Sequence, residues 1–176
     1  FVLKAGDHIH LTASHADLSS FFKEQGTAVT RIRNVLVIGG GRIAYYLTRQ
    51  LLESGIRVKV VECDRERCEW LSNAFPKATV ICGDGTDQDL LLSEGLADVD
   101  ACVALTGMDE ENIILSMFAK SQSDAKIITR VNRPSLKKMA ASVGLDSLIS
   151  PMQLTSNMIV QYVRAVQNSG GSHIST

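Results

Sequence analysis

The sequence predicts an α/β fold, a doubly wound parallel sheet of six strands, and three observations carry that prediction. From Arg33 onward, short runs rich in Val and Ile alternate with helical patterns. The first run, Val35-Leu36-Val37-Ile38, leads straight into Gly39-Gly40-Gly41-Arg42-Ile43-Ala44 and then a helical stretch. An acid, Glu62, ends the next apolar run about 20 residues beyond the glycines. Continuous apolar strands separated by helices imply a parallel sheet covered on both faces. A glycine turn followed by a delayed acid is the pattern of a dinucleotide-binding strand, turn and helix. Gly39 permits the tight turn, Gly41 lets the main chain approach a pyrophosphate, and the small Ala44 allows close packing of helix on strand. A phosphate would rest on the helix N-terminus, where unpaired N–H groups and the dipole favour negative charge.

The elements follow in order. Asp7-His8-Ile9-His10-Leu11-Thr12 alternates polar and apolar, the pattern of a half-buried strand. Ser14 to Glu24 reads as a helix with Leu18, Phe21 and Phe22 on one face and Ser14 as its cap. One strand and one helix do not make a domain. Residues 1–26 are therefore expected to be the tail of a preceding domain, and 27–32 a linker; the opening at Phe1 rather than Met fits a piece of something longer. Within 33–151, strands are predicted over Asn34 to Ile38, Arg57 to Val61, Thr79 to Cys82, Ala101 to Leu105, Ile127 to Val131 and Ser147 to Ile149. Helices are predicted over Arg42 to Glu53, Arg65 to Phe75, Gln88 to Glu94, Glu110 to Lys120 and Pro134 to Val143, with Thr86, Asp109 and Pro134 marking three starts. This is a complete Rossmann-like count. Pro151 closes the sixth strand and launches a last helix, Met152 to Val166, before a flexible tail over 169–176.

Composition excludes several classes. A net charge of −1 gives no electrostatic case for nucleic acid or an anionic membrane surface. No apolar run approaches the roughly 18 to 20 residues that cross a bilayer. Cys63, Cys68, Cys82 and Cys102 form no C-x-x-C pair, and no histidine lies between Gly26 and Ser172, so zinc and redox-motif spacings fail. The cysteines read as small apolar residues, with contact between Cys63 and Cys68 as the alternative. His8 and His10 share a strand face, where solvent exposure is the commoner state than metal binding. No metal site is expected.

Ligands of an open α/β sheet lie beyond the carboxyl ends of its strands, at the switch point between its halves. That rule selects Gly39, Gly40, Gly41, Arg42 and Ile43 after the first strand. Glu62 after the second can accept the hydroxyls of an adenosine ribose and would repel a 2′-phosphate, which favours NAD or an adenine nucleotide over NADP, although Arg65 and Arg67 stand nearby. Asp84 follows the third strand, placed either for an adenine amino group or for an Asx turn. Thr106 and Gly107 follow the fourth. Arg130, on the apolar fifth strand, needs a partner, either a phosphate or Asp84.

Val37 to Ile43, Val60 to Asp64, Gly83 to Thr86, Ala104 to Asn112, Arg130 to Asn132 and Ile149 to Pro151 together resemble the KTN/RCK nucleotide-binding domain of potassium transport regulators. Ala5-Gly6-Asp7-His8-Ile9 is similar to the end of that family's small regulatory C-terminal (RCK_C) domain. The resemblance implies NAD(H), or alternatively ATP/ADP, at the positions named above, with Arg42 reaching terminal phosphates. It implies a crossover helix over 152–168 that self-associates, a membrane potassium transporter subunit as partner, and a cytoplasmic, peripheral location reached through that partner. Ala44 in place of the third glycine and Glu62 where aspartate is common are its departures. A regulator needs no chemistry on the nucleotide, and no catalytic residue is expected. The alternative, the cofactor domain of an NAD-dependent oxidoreductase, needs a proton donor and a substrate domain; no histidine lies within the nucleotide domain and only a short helix follows it, which leaves Lys120, Lys126 or Tyr45 as candidate acids, with packing the expected role of Tyr45 on the first helix.

Overall fold

A computed structural model of the chain describes residues 15–24 and 32–170, and the chain divides into two compact units, Phe1–Arg31 and Ile32–Thr176. In the first unit, α1 (His15–Glu24) carries Phe21 and Phe22 edge to face at 5.6 Å. The strand expected over Asp7 to Thr12, the Ser14 cap and residues 25–31 of the linker lie outside the described residues.

The second unit is built on six parallel strands: β1 (Asn34–Ile38), β2 (Arg57–Glu62), β3 (Thr79–Cys82), β4 (Ala101–Ala104), β5 (Lys126–Arg130) and β6 (Leu148–Ile149). Their order is β3-β2-β1-β4-β5-β6, so the Rossmann-like expectation holds. The helices are α2 (Arg42–Glu53), α3 (Arg65–Ala74), α4 (Gln88–Ser93), α5 (Asp109–Gln122), α6 (Pro134–Ser142) and α7 (Pro151–Gly170).

Strand alternation divides the core. Val35 and Val37 of β1 face one side with Val58 and Val60 of β2, where Ala44 of α2, Leu71 of α3 and Phe75 just after it cover them. Leu36 and Ile38 face the other side with Val61, beneath Leu91, Leu115 and Ala119. β1 is central because both its faces are apolar, each fully buried Val or Leu contributing about 1.5–3 kcal/mol. Tyr45 of α2 stacks on Trp70 at 4.8 Å and Phe75 at 4.9 Å, so it is a packing residue that ties α2 to α3.

Two helix starts differ from the sequence reading. α4 is capped by Asp87, whose carboxylate accepts from the N–H groups of Asp89 and Leu90; the Thr86 amide and hydroxyl both donate to Asp84 instead. Asp109 is the first residue of α5 and not its cap. Its carboxylate accepts from the N–H groups of Asn132 and Arg133, which joins two loops at one end of the sheet.

On the face that α2 shares with the sheet, an apolar groove of about 360 Å3 runs between Ile43 and Leu47 of α2 and Val103, Ile128 and Ile149 of β4, β5 and β6. α7 starts beside it at Pro151, and its residues 152–166 are all exposed, among them Met158, Ile159, Tyr162 and Val163.

At the opposite end of the sheet, the Asp100 carboxylate accepts from the Arg33 and Asn34 N–H groups at 2.7 and 2.9 Å. These bonds hold its carboxyl below the ordinary aspartate value of 3.8. A folded-state pKa that is depressed gives stability that is complete above the unfolded value and lost as pH falls through the folded one. We expect the urea midpoint to fall below pH 3.8 by more in the wild type than in Asp100→Asn; equal falls in both would remove Asp100 as a source of acid sensitivity.

Candidate nucleotide-binding site

β1 and β4 lie side by side, but the chain leaves them toward opposite edges of the sheet, so the loops after their carboxyl ends part and leave a crevice. Its volume is about 400 Å3. Gly39 and Gly41 line it from the β1 turn, Glu62 and Cys63 from the end of β2, Asp84 and Gly85 from the β3 loop, Thr106, Gly107 and Met108 from the β4 loop, and Arg130 from β5. A second cavity, of about 450 Å3, lies at the amino ends of β1 to β3. There Lys59 is already paired with Glu94 at 3.2 Å, and it lies at the end of the sheet away from the switch point, so the crevice is the candidate site.

The three turn glycines do different things. Gly39 has φ +98°, and a Cβ on it would lie 2.8–2.9 Å from the Leu105–Thr106 peptide, so the β1 and β4 loops touch backbone to backbone. A Cβ on Gly40 would strike Leu71 at 2.7 Å and the Glu62 carboxylate at 2.9 Å. A Cβ on Gly41 would meet no protein atom within 4 Å, and this glycine is the N-cap of α2 with no side chain satisfying the first-turn N–H groups. Bare main chain at a helix N-terminus therefore faces the crevice.

Glu62 is engaged by its own turn. One carboxylate oxygen accepts the Gly40 N–H at 2.6 Å, and the other accepts the Asp64 N–H at 2.9 Å and the Cys63 thiol at 3.4 Å. The thiol's bond to this carboxylate raises the Cys63 pKa. From the other side, Arg67 Nε donates to the Gly40 carbonyl at 2.8 Å, and its guanidinium lies 4.3 Å over the Trp70 ring. The Gly40 peptide is thus gripped at both its N–H and its C=O.

Asp84 takes the Asx-turn option, accepting the Thr86 N–H at 2.8 Å and hydroxyl at 2.7 Å, which lowers its pKa. Arg130 does not pair with Asp84. Its Nη2 donates to the Gly107 carbonyl at 3.3 Å, while its Nε is buried without a hydrogen-bond partner among the described residues. Gly40 is buried behind the turn, and the exposed Arg42 and Ile43 lie outside the crevice lining. The sequence reading gave no role to Asn112, the strut of the site. Fully buried, it accepts the Thr106 N–H at 2.8 Å and donates to the Thr106 and Arg130 carbonyls at 3.2 and 3.1 Å. An amide side chain on the inner face of a predicted helix, one turn before Ser116, was the available clue.

A Rossmann-like α/β unit with a glycine-lined crevice at its switch point is the class that fold and site define. Within that class, the chain belongs to the TrkA-N domain family, which matches residues 35–151. It is 31% identical over 166 residues to a Trk system potassium uptake protein TrkA homolog of Archaeoglobus fulgidus, covering 94% of this chain and 38% of that protein. This chain thus spans little more than a third of that relative's length. Among solved structures it is similar to the TrkA-N domain of the inner membrane protein ybaL of Escherichia coli, with TM-score 0.68, 18% identity and coverage of 76% and 98% of the two chains. It is also similar to the GsuK channel bound to NAD, with TM-score 0.59, 20% identity and coverage of 76% and 25%. The same channel bound to ADP gives TM-score 0.59 at 19% identity over 76% and 37%. At these identities the structural likenesses show the fold.

The glycine geometry separates folding from binding. Gly39→Ala and Gly40→Ala should each destabilise the domain by about 1–3 kcal/mol, through strain and overlap respectively. Gly41→Ala should stay within about 0.5 kcal/mol of wild type, because its methyl enters open space. Urea unfolding of the three variants checks this order, and a Gly41 variant as damaged as the other two would place that residue inside the fold.

Proposed function

We propose that this domain is a nucleotide-binding regulatory module of a Trk-type potassium uptake system, which gates a membrane potassium transporter subunit on binding NAD(H) or, alternatively, ATP/ADP. The observation that carries the reading is the crevice itself. Side-chain-free backbone at Gly41 and the α2 N-terminus meets an arginine, Arg130, whose buried Nε has no partner, which is an arrangement suited to a phosphate. In this reading Gly39 and Gly41 hold the pyrophosphate and Arg130 its charge, and Thr106 and Gly107 approach the ribose. Glu62 exchanges its Gly40 and Asp64 partners for ribose hydroxyls. Arg42, one residue into α2, reaches terminal phosphates, and Asp84 sets one wall, while Gly40 supports the turn from behind and Ile43 stands outside the lining. NAD bound in one structurally similar channel and ADP in another crystal of it support both nucleotides.

The arginines near Glu62 do not offer a 2′-phosphate a free cation. Arg65 is paired with Glu69 at 3.3 Å, and Arg67 is held by Gly40 and Trp70. This supports NAD(H) over its phosphorylated form.

Regulation requires two conformations with different ligand affinity. Self-association supplies the frame. The exposed apolar side chains of α7 match the open apolar groove beside Pro151, and we assign that groove to α7 of a second copy. Residues 1–26 then belong to a preceding RCK C-terminal-type domain, 27–32 to a linker, 33–151 to the nucleotide domain and 152–168 to the crossover helix. The location is cytoplasmic, at the inner face of the membrane through the transporter. Among the described residues no helix is long and apolar enough to cross a membrane.

Thermal-shift titration with NAD+, NADH, ATP and ADP is the test, since a ligand of the native state raises stability by mass action. Glu62→Ala should weaken binding by about 1–3 kcal/mol, the range of a charged hydrogen-bonding group; no shift with any nucleotide overturns the reading. NADH should stay reduced with carbonyl substrates and ATP unhydrolysed. Substrate-dependent oxidation that disappears in Gly41→Val would make the domain an oxidoreductase. Light scattering should give a dimer or larger species that Ile159→Asp reduces to a monomer, and a wild-type monomer at tens of micromolar would sink the groove assignment.

A further inference from the structure

We infer that Cys68 and Cys82 form an oxidisable pair, a modification site at which a peroxide joins α3 to β3 through a disulfide. The inference stands apart from nucleotide binding. Cys68 and Leu71 fall at helical spacing on the inner face of α3, with Phe75 at its C-cap, and all three are buried. On β3, Val80 and Cys82 point to one face, and Val80 packs against the cluster that contains Leu71 and Phe75. Cys82 therefore lies on the α3 side of the sheet. The rung beneath is fixed as well. Glu62 pairs with Cys82 across the β2–β3 ladder, and its carbonyl accepts both the Gly83 N–H at 2.9 Å and the Cys68 thiol at 3.1 Å. Both cysteines line one open groove of about 550 Å3 with Arg65, Ser72 and Asn73.

The two thiols divide the chemistry. Cys68 is buried, and burial first, then the neighbouring Cys82, then Glu62 and Asp64, push it up to about 12, so it stays a thiol at neutral pH. Cys82 is exposed and is the attacking group. Its thiolate attacks one oxygen of hydrogen peroxide; an S–O bond forms, the O–O bond breaks, and hydroxide leaves and is protonated to water, giving a sulfenic acid. The Cys68 sulfur then attacks the Cys82 sulfur. The S–S bond forms, the S–O bond breaks, and the departing hydroxide takes the Cys68 proton as a second water. Two thiols are oxidised, and one peroxide is reduced by two electrons. The other cysteines do not compete: Cys63 is turned to the Glu62 carboxylate, and Cys102 lies in the core on the opposite face.

Oxidation would replace the Cys68 bond to the Glu62 carbonyl and fix α3 on the edge strand. Arg67, the neighbour of Cys68, holds the Gly40 carbonyl, so the new covalent link bears on the glycine turn from outside the crevice.

The test is intact mass of the chain after a stoichiometric dose of hydrogen peroxide, with remaining thiols alkylated. The wild type, Cys63→Ser and Cys102→Ser should each lose two hydrogens and gain two fewer alkyl groups, and dithiothreitol should reverse both changes. Cys82→Ser, an exposed substitution that leaves the core intact, and Cys68→Ala should each lose the cross-link. A wild type that keeps all four thiols alkylatable, or a cross-link that survives in Cys82→Ser or vanishes in Cys63→Ser, overturns the assignment.

Discussion

The close approach of Gly39 to the Leu105–Thr106 peptide is the constraint on which the crevice depends. Two parallel neighbours, β1 and β4, end at the same level and send their chains to opposite edges. Their loops must part, yet the first peptide of each still touches the other, and only a residue without a side chain and with positive φ fits between them. The Gly39 N–H bond to the Val61 carbonyl and the Leu105 N–H bond to the Ile38 carbonyl, both 2.8 Å, continue the sheet ladder up to this point. Beyond it the ladder stops and the crevice opens.

What keeps that opening in shape is a set of side chains that satisfy backbone groups where no strand continues. Asn112 bridges the Thr106 loop to the end of β5, and Asp109 ties the next loop over through Asn132 and Arg133. Both sit in the first turn or so of α5, so one helix start positions the loops that follow β4 and β5. Buried polar groups of this kind are costly unless fully bonded, and around these loops the Arg130 Nε and the Asn132 Oδ1 are buried without a partner among the described residues. The fold thus leaves one donor and one acceptor over where the strands end.

Much of this was legible in the sequence because it follows from period and punctuation. Val35 to Ile38 is apolar at every position, as a strand buried on both faces must be, and the glycines after it have few other uses. The strand count, the parallel order and the residues at the carboxyl ends came from that pattern. The misreadings share a cause: polar side chains whose partners are distant or equivalent in sequence terms. Thr86 and Asp87 are both good caps, and only the Asp84 bond to Thr86 decides between them. Arg130 plainly needed a partner, but a backbone carbonyl at Gly107 carries no sequence mark. Asp109 looked like a cap and is a cross-loop acceptor. The neighbourhood of Cys68 and Cys82 depends on the helix-to-strand register, which spacing along the chain does not encode.

The exposure of α7 has a consequence for the order in which the chain is assembled. Among the described residues of the second unit, the last core-facing ones, Leu145, Leu148 and the buried Ser150, precede Pro151, and α7 contributes no buried side chain over 152–166. The sheet can therefore close as a unimolecular event without α7 in place. In the proposed assembly, the α7 that covers the groove arrives in a second, concentration-dependent step. There a single proline would separate folding from assembly, and a defect in one need not be a defect in the other.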